Sequence, residues 1–249
     1  MIKTWMTPWL LMAVPFLGAA LSLLLRTSLQ RMKTSALLTT VASMLVVIGT
    51  PWALGDTLAG VPFLCLLPLT AFLSLLGQPL HRDNTSAWTT TLVLLGLGLG
   101  ILTAQAPVHD VMLLILPGLL CILLYRYQSG ATPETWRGLS AYGLSMVSAA
   151  LALVLPTPAS TVALLVTCAT LLPLLPVHSG FIATLTGLPG NLPAFLVFLL
   201  PTVGFHTLLM LLPNLTGTTL HTVAILALAG AVYGSLRALI QARPLPRLS

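Results

Sequence analysis

Apolar runs of about 20 residues follow one another along almost the whole of this chain, separated by short breaks that carry charge, proline or glycine. A helix needs about 20 residues to cross ~30 Å of hydrocarbon, and it satisfies its own backbone hydrogen bonds in lipid. Transmembrane barrels show an alternation of apolar and polar residues instead. The runs therefore predict an all-α integral membrane protein.

The composition indicates that lipid is the main solvent of this chain. Only 6% of its residues are Asp, Glu, Lys or Arg, and 57% are apolar, whereas a soluble domain carries about 25% charged residues. So few charges cannot cover a surface that faces water. The net charge of +6 is explained by basic loops beside anionic lipid, so the lipid bilayer is an expected partner and nucleic acid is not.

The breaks divide the chain into about nine predicted spans within a single transmembrane domain, residues 1–249. The predicted spans are 8–25, 35–54, 60–77, 88–106, 110–125, 138–155, 159–177, 192–212 and 220–240. No linker or soluble domain interrupts the pattern.

The basic residues predict the orientation of these spans. Nine spans place the loops alternately on two sides, and Lys3 is then the only basic residue on one of them. The other side holds Arg26, Arg31, Lys33, Arg82, Arg126, Arg137, Arg237, Arg243 and Arg247. The positive-inside rule puts that side in the cytoplasm. We therefore expect a multi-pass protein of the inner (cytoplasmic) membrane, with its N-terminus outside and its C-terminus in the cytoplasm.

Titratable side chains are rare within the predicted spans, and no Asp, Glu, Lys or Arg lies at the middle of one. Asp110 lies at the outer mouth of the fifth span, His178 follows the seventh, and His206 lies deep in the eighth. Histidine relays protons near neutral pH, so Asp110, His178 and His206 are candidates for a proton path. The alternative is that each histidine only bonds a carbonyl or a neighbouring helix. His109 is expected at the membrane interface.

Prolines predict breaks in two of the helices. Pro173 and Pro176 interrupt the seventh span, and Pro201 interrupts the eighth. Broken membrane helices expose carbonyl groups where ions or substrates bind, although such breaks are also tolerated for packing alone.

Small residues indicate close helix packing, and no motif indicates a bound metal or cofactor. Gly96 and Gly100 have the Gly-xxx-Gly spacing that lets two helices approach closely, as in a dimer. The cysteines fall inside apolar runs, with the spacing of neither a metal site nor a disulfide framework. No phosphate-binding loop, haem motif or nucleophile constellation is present. We expect no cofactor and do not interpret the chain as an enzyme by itself.

Four stretches carry a family resemblance. The run from Leu171 to His178 (LLPLLPVH) is similar to a motif at a broken seventh helix, in which a lysine is followed by apolar residues, a proline and then Pro-x-His. Pro189 follows His178 at the place of an Ala-Pro segment. Val61 to Leu76 and Ala231 to Gln241 look like a third and a ninth helix. Together they resemble the antiporter-like subunits of respiratory complex I (NADH–quinone oxidoreductase), Mrp-type antiporters and membrane-bound hydrogenases, and the quinone-side complex I member looks nearest.

The resemblance implies a complex I antiporter-like bundle that is truncated after helix 9. Helices 4 to 8, about 88–212, would form the antiporter-like unit, helices 1 to 3 would lie at its periphery, and helix 9 would cover about 220–240. The family's proton path uses a glutamate on helix five and lysines on helices seven and eight. The matching positions here are Leu119, Leu171 and Pro201. None of them can titrate, so the usual mechanism does not carry over.

Three functions follow from these patterns. The first is a non-pumping structural paralogue that packs against other membrane subunits, as a non-catalytic part of a complex I-like or antiporter-like assembly. The second is a proton or cation conductor that uses His178, His206, Asp110 and waters at the Pro173–Pro176 break. The third is an unrelated small-molecule transporter.

Overall fold

The regular structure of this chain is helical. The computed structural model describes residues 2–54, 61–81, 84–127, 133–172 and 179–215, together with positions 217, 221–222, 224–225, 227–230 and 232. It does not describe the side chains of residues 2–6, 51–54, 61–63, 134 and 179. The helices are α1 Ile2–Leu24, α2 Leu29–Leu54, α3 Val61–Leu76, α4 Thr85–Thr103, α5 Val108–Tyr127, α6 Pro133–Val154, α7 Ala159–Leu171, α8 Ser179–Gly187 and α9 Leu192–Leu211. A 3₁₀ turn, Leu212–Asn214, follows α9, and the described residues contain no strand.

Six of the described helices are long and apolar enough to cross a membrane. These are Thr7–Leu24, Leu29–Thr50, Thr85–Thr103, Val108–Tyr127, Thr135–Val154 and Leu192–Asn214. Two further apolar helices, Leu64–Leu76 and Ala159–Leu171, are shorter. Large apolar side chains cover the outward faces of the bundle, as at Leu17 and Val154, which are 70% and 82% exposed. Such a surface requires lipid around it, so the chain is an all-α, multi-pass membrane protein.

Helices α1 and α2 begin six residues before the predicted spans, and the other boundaries agree within five residues, apart from three differences. Helix α7 ends at Leu171, six residues before the predicted end, and Leu172 is extended because it precedes Pro173. Helix α8 falls in a stretch for which no helix was predicted. The predicted ninth span, 220–240, lies largely outside the described residues.

Helix α4 lies at the centre of the bundle, against α1, α2, α3, α5 and α9. Of the residues in its span, 72% are buried. Gly96 and Gly100 both pack on α1, whereas Gly98 packs on α3 and α9. Added methyl groups would meet Pro15 and Phe16 at Gly96, Leu67 and Leu199 at Gly98, and Met12 and Met112 at Gly100. Gly96 and Gly100 therefore allow close packing of helices within the chain, the kind of approach that their spacing indicated.

Helices α7 and α8 lie end to end along the single long helix α6. Ser148 in the second half of α6 bonds Thr167 of α7, with their hydroxyl oxygens 2.8 Å apart. In the first half of α6, Tyr142 bonds Thr184 of α8 at 3.4 Å. Helices α7 and α8 have 13 and 9 residues, so neither alone has the about 20 residues that a crossing needs. Residues 173–178 between them lie outside the described residues.

The basic side chains gather at one end of the bundle. Lys33 at the start of α2 donates to the carbonyl oxygens of Leu76, at 3.2 Å, and Gln78, which lie at the end of α3. Such a cation offsets the partial negative charge of the α3 C-terminus. The same end also holds the residues Arg26, Arg31, Arg126 and Arg137, at the ends of α1, α2, α5 and α6. We call it the basic end.

The start of α9 is fixed at this basic end by a buried amide. Asn191, which precedes α9, donates through Nδ2 to Ser74 Oγ of α3 at 3.2 Å and to Thr91 Oγ1 of α4 at 2.7 Å. Gly190 before it has a φ of 65°, which glycine adopts without strain. Helix α9 therefore runs from the basic end to the opposite end, where α5 begins.

Candidate functional site

Two histidines, an aspartate and a threonine meet at the end of the bundle opposite the basic end. Helix α5 begins at Val108, so His109 and Asp110 lie in its first turn. Helix α9 ends at Leu211, so His206 and Thr207 lie in its last two turns. We call these four residues the histidine cluster.

His109 is the buried centre of the histidine cluster, with 2% of its surface exposed. Its Nδ1 lies 2.9 Å from Asp110 Oδ1, and its Nε2 lies 3.2 Å from Thr207 Oγ1. Both ring nitrogens therefore have partners, which offsets the cost of burying an imidazole. The Asp110 side chain is 19% exposed and benefits from the partial positive charge of the first turn of α5.

The Thr207 hydroxyl has two possible hydrogen-bond partners, and its orientation decides which atom donates in its bond with His109. Thr207 Oγ1 lies 3.0 Å from the carbonyl oxygen of Val203, one turn earlier in α9, and 3.2 Å from His109 Nε2. A hydroxyl has one hydrogen to donate. When it donates to Val203, His109 Nε2 must donate to the hydroxyl oxygen. When it donates to Nε2, Nε2 is the acceptor, so one hydroxyl rotation accommodates both arrangements.

His206 faces away from these bonds and towards lipid. Its ring centroid lies 6.2 Å from that of His109, with the ring planes tilted by 53°. Among the described residues neither nitrogen of His206 has a hydrogen-bond partner. The half-buried ring lines a groove of about 460 Å³ between α3, α4 and α9, which we call the His206 groove. Its lining residues are Leu64, Leu66, Leu102, Val197, Phe198, Pro201, Thr202, Phe205, His206 and Leu209.

The structure brings together two of the three residues proposed as a proton path. His109, which was expected only to lie at the membrane interface, bonds Asp110, and its ring lies 6.2 Å from that of His206. His178, Pro173 and Pro176 lie outside the described residues. The role of His109 had a signal in the sequence: a His-Asp pair opens the fifth predicted span and a His-Thr pair closes the eighth, and both fall on the same side of the membrane.

The three positions that the resemblance aligns with a proton path lie in separate apolar surroundings. Leu171 is fully buried and packs on Gly204 of α9, where an added methyl group would lie 3.3 Å from Leu171 Cβ. Leu119 lines a different groove of about 630 Å³ that opens between α1 and α5, which we call the α1–α5 groove. Pro201 lines the His206 groove.

Pro201 does not break α9, contrary to the prediction. The helix continues from Leu192 to Leu211 with Pro201 inside it. A membrane helix tolerates a proline because nearby hydroxyl groups and neighbouring helices satisfy the backbone groups that it disturbs. Next to Pro201, the Thr202 hydroxyl donates to the carbonyl oxygen of Phe198 at 2.7 Å.

A second polar cluster, which was not predicted, lies between α6, α7 and α8. It contains the bonded pairs Ser148–Thr167 and Tyr142–Thr184 described above. Ser145 Oγ is buried between them and has no hydrogen-bond partner among the described residues. The hydroxyl bonds of this cluster join α6 to α7 and α8, as interhelical hydrogen bonds do in membrane bundles.

The described residues contain no cluster of metal-binding side chains, and the comparisons with known proteins found no match. No three His, Cys, Asp or Glu side chains come together in the described part of the chain. No protein-family model, curated protein or solved structure matches the chain. The family resemblance therefore stays a prediction that rests on the motifs alone.

Proposed function

We propose that this chain is a membrane subunit of a complex I-like or antiporter-like assembly, and that it does not pump protons itself. In this proposal the chain crosses the inner membrane nine times, with its N-terminus outside and its C-terminus in the cytoplasm. The basic end then faces the cytoplasm. The grouping of Arg26, Arg31, Lys33, Arg126 and Arg137 at one end supports this orientation.

The observation that carries the proposal is the separation of Leu119, Leu171 and Pro201. A proton path needs titratable groups close enough to exchange protons and to shift one another's charge state. Here Leu171 is buried in the core, whereas Leu119 and Pro201 line two different grooves. None of the three contributes a proton-binding group, so these positions lack the residues that the antiporter mechanism requires.

Packing against other membrane subunits is the role that the surface then supports. Helices α1 and α5 present large exposed side chains on the rim of the α1–α5 groove, such as Trp9 and Ile115, which are 57% and 50% exposed. The groove is lined almost wholly by apolar atoms, which suits van der Waals contact with another membrane helix. In this role the chain supplies contact surface and a proton-tight seal.

Co-purification from native membranes tests this role. The full chain, carrying an affinity tag, would be extracted in a mild detergent, and the proteins that elute with it would be identified by mass spectrometry. We expect other membrane subunits of one redox or antiporter assembly in constant ratio to the chain. The same purification from cells with the untagged chain is the control. Elution of the chain alone from several mild detergents would count against the proposal.

A proton or cation conductor is the second candidate, and the histidine cluster favours it. His109 Nδ1 lies 2.9 Å from Asp110 Oδ1, and the ring centroids of His109 and His206 are 6.2 Å apart. In this candidate, protons pass between Asp110 and the membrane-facing His206 through His109. Loss of flux in vesicles on His206→Leu would favour it, and unchanged flux would exclude His206 from the path.

A further inference from the structure

The His206 groove combines an apolar trough with a single imidazole. It runs along α9 from Val197 to Leu209, which is about 18 Å at 1.5 Å per residue. This length is close to the ~15 Å that one leaflet of hydrocarbon occupies. Leu66, Val197, Phe205 and Leu209 on its rim are between 40% and 49% exposed. The groove therefore opens sideways to lipid across the middle of α9, and His206 lies in the half of α9 further from the basic end.

His206 is the one lining residue whose hydrogen-bonding groups are not already used. The Thr202 hydroxyl donates to its own helix at the Phe198 carbonyl, and the other lining residues are apolar. A neutral imidazole has one donor and one acceptor nitrogen, and a protonated imidazole has two donors. Neither nitrogen has a partner among the described residues. A polar group left unpaired at this depth is costly, so the ring selects an occupant that brings a hydrogen-bonding atom to it.

The surroundings of His206 also restrict the charge of that occupant. Among the residues that the structure describes, no Asp, Glu, Lys or Arg lines the groove. The nearest carboxylate in the histidine cluster, Asp110, is bonded to His109. An ionic head group placed beside His206 would therefore lack a counter-charge in the groove, and burying an unpaired charge is far more costly than burying a neutral oxygen.

We propose that the His206 groove is a binding site for a neutral, single-chain amphiphile from the membrane. Its head group presents a hydroxyl or carbonyl oxygen to His206, and its apolar tail lies along α9 towards Val197. The volume of about 460 Å³ lies within the range of small-molecule sites. Two kinds of membrane molecule have this chemistry: lipid-soluble quinones and uncharged acylglycerols. The site does not depend on the proposed subunit role, because it uses only residues of this chain.

Native mass spectrometry of the purified full chain tests the site. The chain would be titrated in detergent with decylubiquinone, with 1-monooleoylglycerol and, for comparison, with phosphatidylcholine. His206→Leu removes the hydrogen bond and keeps an apolar side chain of moderate size. Val197→Trp fills the trough from its lipid-exposed rim without touching the core. His221→Leu is the matched control, since His221 is exposed and does not line the groove.

We expect a one-to-one adduct with at least one of the two neutral probes. His206→Leu should lower its affinity by roughly two- to tenfold, as the loss of one hydrogen bond implies. Val197→Trp should abolish it, and His221→Leu should leave it unchanged. The probe that binds more tightly identifies the source of the ligand. The proposal is overturned if neither probe binds, if all variants bind equally, or if only phosphatidylcholine adducts respond to the variants. None of these outcomes bears on co-purification with other subunits.

Discussion

His109 and His206 lie side by side, yet their hydrogen bonding differs completely. His109 is buried and bonded through both ring nitrogens, to Asp110 and to Thr207. His206 is half buried, and its nitrogens have no partner among the described residues. The same substitution at the two positions therefore separates a structural histidine from one that is available to a ligand or a proton.

His109→Leu should lower the free energy of unfolding in detergent by about 1–2 kcal/mol. Interhelical hydrogen bonds in membranes average about 0.6 kcal/mol, and the substitution also leaves Asp110 without a partner. His206→Leu breaks no bond within the chain and should change stability by less than about 0.5 kcal/mol. Unfolding both variants in sodium dodecyl sulfate measures this difference. Equal losses would show that the bonds of His109 do not hold α5 to α9.

Asn191→Asp should lower the free energy of unfolding by about 1–3 kcal/mol, although the two side chains have the same shape. The hydroxyl groups of Ser74 and Thr91 already donate to the Ala71 and Ala87 carbonyls. They can therefore only accept from residue 191, and a carboxylate has no hydrogen to donate. Asn214→Asp, at an exposed position beyond α9, is the control. A stable Asn191→Asp variant would contradict the assigned bond directions.

At the scale of the elements, the closest approach of α6 to α8 requires a glycine. Gly138 of α6 faces Ala183 of α8 so closely that an added methyl group would lie 2.4 Å from Ala183 Cβ. Gly143, on the same helix, has nothing within 4 Å of that position. This contact fixes α8 against the first half of α6.

Gly138→Ala should destabilise the protein by about 1–3 kcal/mol, because the Ala183 methyl group is fixed to the backbone and cannot move aside. Gly143→Ala should be neutral or stabilising by up to about 1 kcal/mol, since alanine favours helix. Unfolding in detergent checks both values. Adding Ala183→Gly to Gly138→Ala should restore stability, and failure of that rescue would mean that the clash is not with α8.

The sequence predicted the helices well where their apolar runs were long and less well where packing decided the outcome. Continuous runs bounded by charge or proline located α1 to α6 and α9 within six residues, because lipid imposes both length and apolarity. Helix α8 was missed, since nine residues are too few for a span. Pro201 predicted a break because proline usually interrupts a helix, but α9 continues through it, with the Thr202 hydroxyl bonded to the Phe198 carbonyl beside it.

The sequence predicted only part of the candidate site, because the rest depends on how the helices pack. Asp110 and His206 were predicted as candidates for a proton path because so few titratable groups exist in the spans. The role of His109 depends on which helices are neighbours, and apolar periodicity carries no information on that. The two grooves likewise arise from the way α1, α3, α5 and α9 surround α4, which a single sequence does not encode in any local pattern.

At the scale of the whole molecule, the segregation of charge predicts which end lies inside the cell. The turn after α1 belongs to the basic end, and the connection between α4 and α5 belongs to the opposite end. Thr27 and Gln105 are exposed in these two connections. They offer matched reporters of orientation.

Cysteine labelling of intact cells should distinguish these two ends. In a chain whose free cysteines, Cys65, Cys121 and Cys168, are replaced by alanine, Gln105→Cys should react with a membrane-impermeant maleimide. Thr27→Cys should react only after the membrane is permeabilised, because the positive-inside rule places the basic end in the cytoplasm. The opposite labelling pattern would reverse the proposed orientation.

Proton flux through the isolated chain tests most directly whether it lacks a proton path of its own. The purified chain would be reconstituted in liposomes under an imposed membrane potential, and internal pH would be followed with a fluorescent dye. A protonophore added at the end confirms that the vesicles are sealed. We expect the same rate as in protein-free liposomes, because Leu119, Leu171 and Pro201 cannot carry protons. A saturable flux well above that background, lost on His206→Leu, would contradict the account and assign transport to the histidine cluster.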